Sequence, residues 1–174
     1  PAAEPAPPHL APPSAAPMPA GDPWPSLQQE LERQVELAVA NNERRPAPLG
    51  RWLSEDLILH ANEVCGSVAR QAAQLVQVPE STFRRQLEKA SAHAANGVQV
   101  RSDSWATVRP LIRKVVEKGG QKEGKDGNLL DRSRHTLLRC VRSKVGGRTA
   151  AAASLMGVTP MTYKRWLADQ ESRS

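Results

Sequence analysis

The sequence predicts an all-α fold, on the evidence of its composition, the spacing of its apolar residues and an internal repeat. Its 174 residues are rich in Ala, Leu, Arg, Gln and Glu, which lose little side-chain entropy in a helix, and include one Phe and one Tyr. Apolar residues recur at three- and four-residue steps rather than alternating. We expect two tandem small helical units, each ending in a helix-turn-helix, behind a disordered Pro/Ala-rich N-terminal tether.

The tether covers residues 1–23. This segment contains nine Pro and seven Ala and offers almost no side chain that a core would bury. Such composition is typical of an extended, polyproline-like chain without a packed core. We therefore predict that the folded part begins at Trp24.

The internal repeat defines the two units. Trp24, Leu27, Leu31 and Val35 are matched 81 residues later by Trp105, Val108, Ile112 and Val116. Further along, the segment 72–87 is matched 80 residues later by the segment 152–167, with small, aromatic and basic positions in register. We predict a first unit over 24–95, whose degenerate helix-turn-helix spans 67–89. The second unit spans 104–170, with its helix-turn-helix over 147–168.

Each unit begins with two amphipathic helices. The first carries Leu27, Leu31, Val35 and Val39 in one copy and Val108, Ile112, Val115 and Val116 in the other. After a polar loop, the second carries Leu53, Leu57, Ala61 and Val64, matched by Leu130, Leu137, Leu138, Val141 and Val145. Both second helices are expected to end in a left-handed glycine, at Gly66 and at the pair Gly146 and Gly147.

Two short helices and a tight turn follow in each unit. The paired alanines of the first short helix, at 72–73 and 152–153, permit close approach of a second helix. Gly157 suits a turn that requires a positive φ, Thr159 is a favourable N-cap, and Pro160 is a favourable first helical residue. We expect Tyr163 and Leu167, four residues apart, to point to the core.

The segment 147–167, GRTAAAASLMGVTPMTYKRWL, resembles the helix-turn-helix of the Fis family, which also occurs at the C-terminus of NtrC-type enhancer-binding activators. The likeness extends loosely to the preceding helix, 130–145, and recurs in weaker form at 67–87. It implies a bacterial transcriptional or nucleoid function, a helical DNA-binding dimer, and recognition of DNA by the second helix of the motif.

The resemblance places base and phosphate contacts on the outward residues of that second helix. In this sequence those residues are Thr159, Met161, Thr162, Lys164 and Arg165. Independently of the family, the first turn of a helix that enters the major groove brings its positive dipole end toward phosphate, and basic residues one turn later reach phosphates or a guanine edge. Arg148 and Thr149, which open the preceding helix, are candidates for another phosphate contact.

The first copy departs from this pattern. Gln77 replaces the turn glycine, Pro79 occupies the cap position, and Glu80 places a carboxylate where phosphate would approach. A polar and basic outer face is nevertheless retained by Ser81, Thr82, Arg84, Arg85 and Lys89. We predict weaker or altered DNA binding by this copy, with a structural or dimerising role as the alternative.

Charge and residue content separate the candidate functions. Residues 1–100 hold 8 Lys and Arg against 11 Asp and Glu, a net of −3, whereas residues 101–174 hold 16 against 7, a net of +9. The second half is therefore the expected polyanion surface. The four histidines are scattered and form no group with Ser and Asp, and no glycine-rich phosphate loop precedes a helix. This pattern predicts no enzyme, no cofactor and no metal site. Cys65 and Cys140 stand alone and are expected to be buried as small hydrophobes.

The predicted function is sequence-specific binding of double-stranded DNA by tandem helix-turn-helix motifs. The chain would be a bacterial transcriptional regulator, or its DNA-binding region, located in the cytoplasm at the nucleoid. No apolar run approaches the roughly 20 residues that span a bilayer, so we expect no membrane partner. Both recognition helices would come either from a homodimer or from an intramolecular pseudo-dimer. Two alternatives stay open: a helical module that binds RNA polymerase or another regulator, and a nucleoid-type architectural protein with little sequence preference.

Overall fold

A computed structural model of the chain describes residues 22–41, 47–95, 101–119 and 129–173. Within these ranges the structure contains eight α-helices, one 3-10 helix and no strand, which confirms the predicted all-α class. The helices are α1 (Trp24–Ala40), α2 (Leu49–Val64), α3 (Ala69–Val76), α4 (Glu80–Ala95), α5 (Val108–Gly119), α6 (Leu129–Val145), α7 (Thr149–Met156) and α8 (Pro160–Arg173). The 3-10 helix, Asp103–Thr107, leads directly into α5.

The helices of the two halves pack crosswise around one continuous core. The helix α1 packs against α6, and α5 packs against α2. Leu27 and Leu31 on α1 and Ile112 on α5 are fully buried. The helices α2 and α6 also contact each other. The opening helix of each sequence repeat is thus covered by the long helix of the other repeat, and one apolar cluster runs through both.

Contacts of two tryptophan rings also join one half of the chain to the other. Trp105, which precedes α5, meets Trp52 of α2 edge to face, with ring centroids 5.5 Å apart and planes at 67°. At the matching place in the other half, the Arg132 guanidinium of α6 lies 4.1 Å from the ring centre of Trp24, which opens α1. Such reciprocal pairing is the signature of an approximate two-fold axis, as in an isologous dimer. Here both partners belong to one chain.

Polar bonds also tie the halves together. The side chain of Gln34 on α1 donates to the main-chain oxygen of Ser104 at 3.0 Å and accepts from the Ser104 hydroxyl at 3.1 Å. Glu36 on α1 pairs with Lys144 on α6 at 2.7 Å, and this hydrogen bond raises the pKa of Lys144. Because Gln34 is only 2% exposed, these two bonds to Ser104, with a third from its amide nitrogen to Glu30, satisfy a buried amide as well as fixing the register of α1.

The structure tests the predictions for the glycines at helix ends and for the two cysteines. The left-handed glycines after the second helices are confirmed at Gly66, with φ 60°, and Gly146, with φ 64°. Cys140 is buried as predicted, and burial raises the pKa of its thiol to about 11. Cys65, also expected to be buried, is only partly buried: it follows the last helical residue of α2 and packs at the edge of the core.

Some sequence predictions fall largely outside the described residues. Of the predicted tether, only Asp22 and Pro23 are described, and Asp22 accepts a hydrogen bond from the main-chain nitrogen of Trp24 at 3.1 Å. Residues 42–46 and 120–128, within the two predicted polar loops, also lie outside the described residues. Among the helices that are described, none is both long enough and apolar enough to cross a membrane.

Candidate nucleic-acid interface

The helix pairs α3–α4 and α7–α8 have the same main-chain geometry. In each pair the first helix has eight residues and ends at a left-handed residue, Gln77 with φ 61° or Gly157 with φ 69°. The next residue closes the turn by donating to a carbonyl five residues back, Val78 to Ala73 and Val158 to Ala153, both at 3.0 Å. The second helix begins three residues after the left-handed residue in both pairs, at Glu80 and Pro160.

Small and aromatic side chains set the packing inside each pair. The alanines Ala72, Ala73, Ala152 and Ala153 are at most 2% exposed. Small side chains at this crossing let the second helix approach, and an aromatic ring one turn into that helix fills the core below. Phe83 is fully buried in α4 and Tyr163 is 2% exposed in α8. The predicted core position of Tyr163 is confirmed, whereas Leu167 is only half-buried at the edge.

The start of α8 is capped as its sequence predicts. The hydroxyl oxygen of Thr159 accepts from the main-chain nitrogen of Thr162 at 3.2 Å and lies 3.0 Å from the hydroxyl oxygen of Thr162. This bond satisfies one of the main-chain donors that a helix leaves open in its first turn. Pro160 is the first helical residue, as expected. The two threonines are thereby held in a fixed position on the outer side of the first turn.

The outer face of α8 is exposed. Met161 is 81% exposed, and both Lys164 and Arg165 are exposed one turn later, whereas Thr162 is half-buried. An apolar side chain with so much exposure gains nothing from the protein's own core. Two cations and a free apolar tip therefore share one side of this helix, which is the side that the sequence analysis assigned to DNA.

The predicted phosphate contacts beside α8 lie at the start of α7. Arg148 is exposed, with its Nε donating to the main-chain oxygen of Val145 in a long hydrogen bond of 3.5 Å, and Thr149 is half-buried as the first helical residue. The Arg148 guanidinium keeps its other donors on the surface. Both side chains therefore stand at one edge of the α7–α8 pair.

The outer face of α4 carries an ion pair that α8 lacks. Its predicted contacts Ser81, Arg84, Arg85 and Lys89 are exposed and Thr82 is half-buried. Glu80, however, accepts from Arg84 through Nε at 2.9 Å and Nη2 at 2.6 Å. The carboxylate anticipated from the sequence therefore neutralises one of the basic residues of this face. At the matching positions α8 carries Pro160 and Lys164, with no carboxylate.

Additional basic residues on α6 were missed by the sequence analysis. Arg139, Arg142 and Lys144 are exposed along the second half of this helix, which leads into the turn before α7. Arg142 pairs weakly with Glu171 at 3.5 Å and Lys144 pairs with Glu36. The signal that identifies them in the sequence is their spacing of two and three residues in the last turns of a predicted helix. In α2 the matching positions hold Leu59, Asn62 and Val64, so this basic ridge belongs to the second half alone.

A charged cluster between the two halves, centred on two buried carboxylates, was also missed. Asp56 of α2 accepts from the Trp105 indole nitrogen at 2.7 Å and pairs with Arg101 and, at 3.9 Å, with Arg109. Glu55 beside it pairs with Arg101 at 3.1 Å and with His93 of α4 at 2.5 Å. The two carboxylates, His93 and the two arginines line a cavity of about 330 Å³. The cluster therefore joins α2, α4 and the start of α5.

No group of three or more His, Cys, Asp or Glu side chains in the described ranges is arranged to hold a metal ion. No protein-family model matches the chain. No curated protein and no solved structure gives a significant match either.

Proposed function

We propose that the chain binds double-stranded DNA with α3–α4 and α7–α8 acting as two helix-turn-helix motifs, α8 being the stronger reader. The observation that carries the proposal is the outer face of α8. Met161, Lys164 and Arg165 are exposed on it, while Tyr163 anchors the opposite side. A helix held from behind and bearing cations in front is the element that enters a major groove in proteins with this motif.

The side chains of α8 suit the two kinds of contact that such a helix makes. Lys164 and Arg165 supply charge for phosphates or for the O6 and N7 acceptors of guanine. Met161 supplies an apolar tip of the kind that contacts the thymine methyl group. The capped threonines Thr159 and Thr162 present short polar groups at the first turn, where backbone donors favour a phosphate.

The crosswise packing supports reading of two grooves by one chain. Proteins of this class place two recognition helices about 34 Å apart, to reach successive major grooves, and usually need two chains to do so. Here α1 packs on α6 and α5 on α2, so both helix pairs are fixed to one core. We propose an intramolecular pseudo-dimer that acts as a bacterial regulator at the nucleoid and binds an asymmetric site, since the α4 and α8 faces differ in charge.

Binding of labelled duplex by fluorescence anisotropy tests the proposal. If the chain makes six to ten phosphate contacts, raising the salt concentration from 50 to 200 mM should lower its affinity for duplex by roughly 10³ to 10⁵. We expect the double variant Lys164→Glu, Arg165→Glu to lose at least about 100-fold in affinity, because it adds repulsion where phosphates approach. The control Arg33→Glu reverses an exposed charge on α1. Arg33 pairs with Glu30 one turn earlier on the same helix, so this change should alter affinity less than about threefold.

Two results would overturn this function. A wild-type chain that ignores duplex at low salt refutes DNA binding, and so does a double variant that binds as tightly as the Arg33→Glu control. Competition with unrelated duplex distinguishes sequence-specific recognition from architectural binding. If every duplex competes equally well, the chain binds DNA without sequence preference, as an architectural protein does.

A further inference from the structure

The ion pair between Glu80 and Arg84 gives α4 a fixed acceptor on its outer face. Both hydrogen bonds from Arg84 end on Oε1 of Glu80, at 2.9 and 2.6 Å. The two side chains are 40% and 66% exposed, so the pair stands at the surface. Among the described residues Oε2 has no donor, and it is available to a group outside the chain. The geometry is that of a carboxylate oriented by a forked partner.

The position of this pair follows from the match between the two helix pairs. Glu80 comes three residues after the left-handed Gln77, as Pro160 comes three residues after Gly157. The inference therefore rests on the proposed function: if α4 enters a major groove as α8 does, Glu80 enters with it in the first turn. The second half has no counterpart to this carboxylate, so any effect is confined to one half of the site.

Only some bases tolerate a carboxylate at their major-groove edge. Guanine presents the acceptors N7 and O6, and thymine presents the acceptor O4, which all repel a carboxylate. Adenine presents an amino group beside the acceptor N7, whereas cytosine presents its N4 amino group without an acceptor at its side. The DNA phosphates already repel the Glu80 carboxylate. It is therefore accommodated best where it accepts a hydrogen bond from the N4 amino group of cytosine, which has no acceptor beside it.

We propose that Glu80, oriented by Arg84, selects cytosine at one position of the half-site that α4 contacts. Arg84 keeps donors for guanine O6 or N7 at the same or the neighbouring base pair. A single well-formed contact of this kind discriminates against the wrong base by roughly tenfold. The chain thus reads DNA in one orientation, with the cytosine-selecting half under α4 and the basic half under α8.

In vitro selection from random duplex, followed by affinity measurements on single-base variants, tests this proposal. We expect the wild-type chain to enrich cytosine at one position of one half-site. Glu80→Ala should abolish that enrichment and leave the opposite half-site unchanged. Glu80→Gln should move the preference toward adenine, because an amide matches adenine N6 and N7. The matched control Glu88→Gln changes an exposed carboxylate two turns further along α4 and should leave the selected sequence unaltered.

The outcomes separate this inference from the proposed function. A chain that binds no duplex refutes the proposed function, and this proposal falls with it. A chain that binds duplex but enriches no cytosine refutes cytosine selection alone, and so does enrichment that persists in Glu80→Ala. Thermal unfolding of each variant checks folding, and Glu80→Gln, which retains an acceptor for Arg84, provides the comparison if the alanine variant is less stable.

Discussion

Asp56 is the most buried charged residue of the cluster that joins α2, α4 and the start of α5. Asp56 has a side chain only 4% exposed, yet it has an indole donor and two guanidinium partners. A buried charge with that many partners costs little while they remain and a great deal when one is removed. The cluster therefore holds α5 against α2 at a fixed register.

His60, at the edge of this cluster, makes stability depend on pH. Burial lowers the pKa of His60 below 6.5, and the charges of Arg113 and Arg109 lower it further, although Glu63 opposes them. The Glu63 carboxylate is 3.6 Å from Nδ1, too far for a normal hydrogen bond. The unfolded chain thus takes up a proton at higher pH than the folded chain does.

Stability should consequently fall as the pH drops below 6.5, the ordinary value for this group. We expect the free energy of unfolding to change less between about pH 8 and about pH 5 in His60→Gln than in the wild type. Urea denaturation followed by circular dichroism at several pH values measures this. Identical pH profiles for the two proteins would show that His60 does not contribute.

At the scale of elements, the same left-handed turn is made by different residues in the two helix pairs. Gln77 has φ 61° and ψ 43°, whereas Gly157 has φ 69° and ψ 30°. A Cβ on Gly157 would lie 3.0 Å from the Cβ of Pro48 and 3.2 Å from that of Arg51, because α7 ends against the start of α2. Gln77 is exposed, so the first pair tolerates a side chain there.

Exchanging the two turn residues should therefore have opposite effects. We expect Gln77→Gly to stabilise the fold by up to about 1 kcal/mol, since glycine removes the left-handed penalty but gains entropy when unfolded. Gly157→Gln should destabilise it by more than about 1 kcal/mol, because strain and close contact add together. Chemical denaturation of both variants measures the two changes. Equal and opposite values would mean that the contact with Pro48 and Arg51 is unimportant.

Local signals made these elements predictable, whereas distant contacts were not. Thr159 and Pro160 fix the start of α8 through bonds within a few residues, so the sequence alone places it correctly. The turn at Gln77 is recognisable only through the repeat, because its residue type does not favour positive φ. An apolar stripe such as that of α1 predicts that a face is buried but cannot say which helix covers it. The same is true of Asp56, whose partners lie more than 40 residues away.

At the scale of the whole molecule, the crosswise packing makes the two sequence repeats one cooperative body. Gly50 of α2 illustrates this, since a Cβ there would collide with the main-chain carbonyl oxygen of Met156 at the end of α7. Contacts this close extend from the core to the base of the α7–α8 pair. The relative position of the two proposed recognition helices is consequently set by the core rather than by a linker.

Ile112→Ala provides a test of this cooperativity. Ile112 belongs to the second repeat by sequence but is fully buried on α5, which packs on α2 of the first. We expect a loss of about 2–5 kcal/mol in the free energy of unfolding. Hydrogen exchange should show equal loss of protection for the core amides of α2 and α6, because both exchange through the same global unfolding.

Leu167→Ala, at the half-buried edge of α8, is the control and should mainly affect α7 and α8. If Ile112→Ala lowers protection in α6 but leaves α2 unchanged, the repeats fold separately, and the core does not fix the spacing of the two proposed recognition helices.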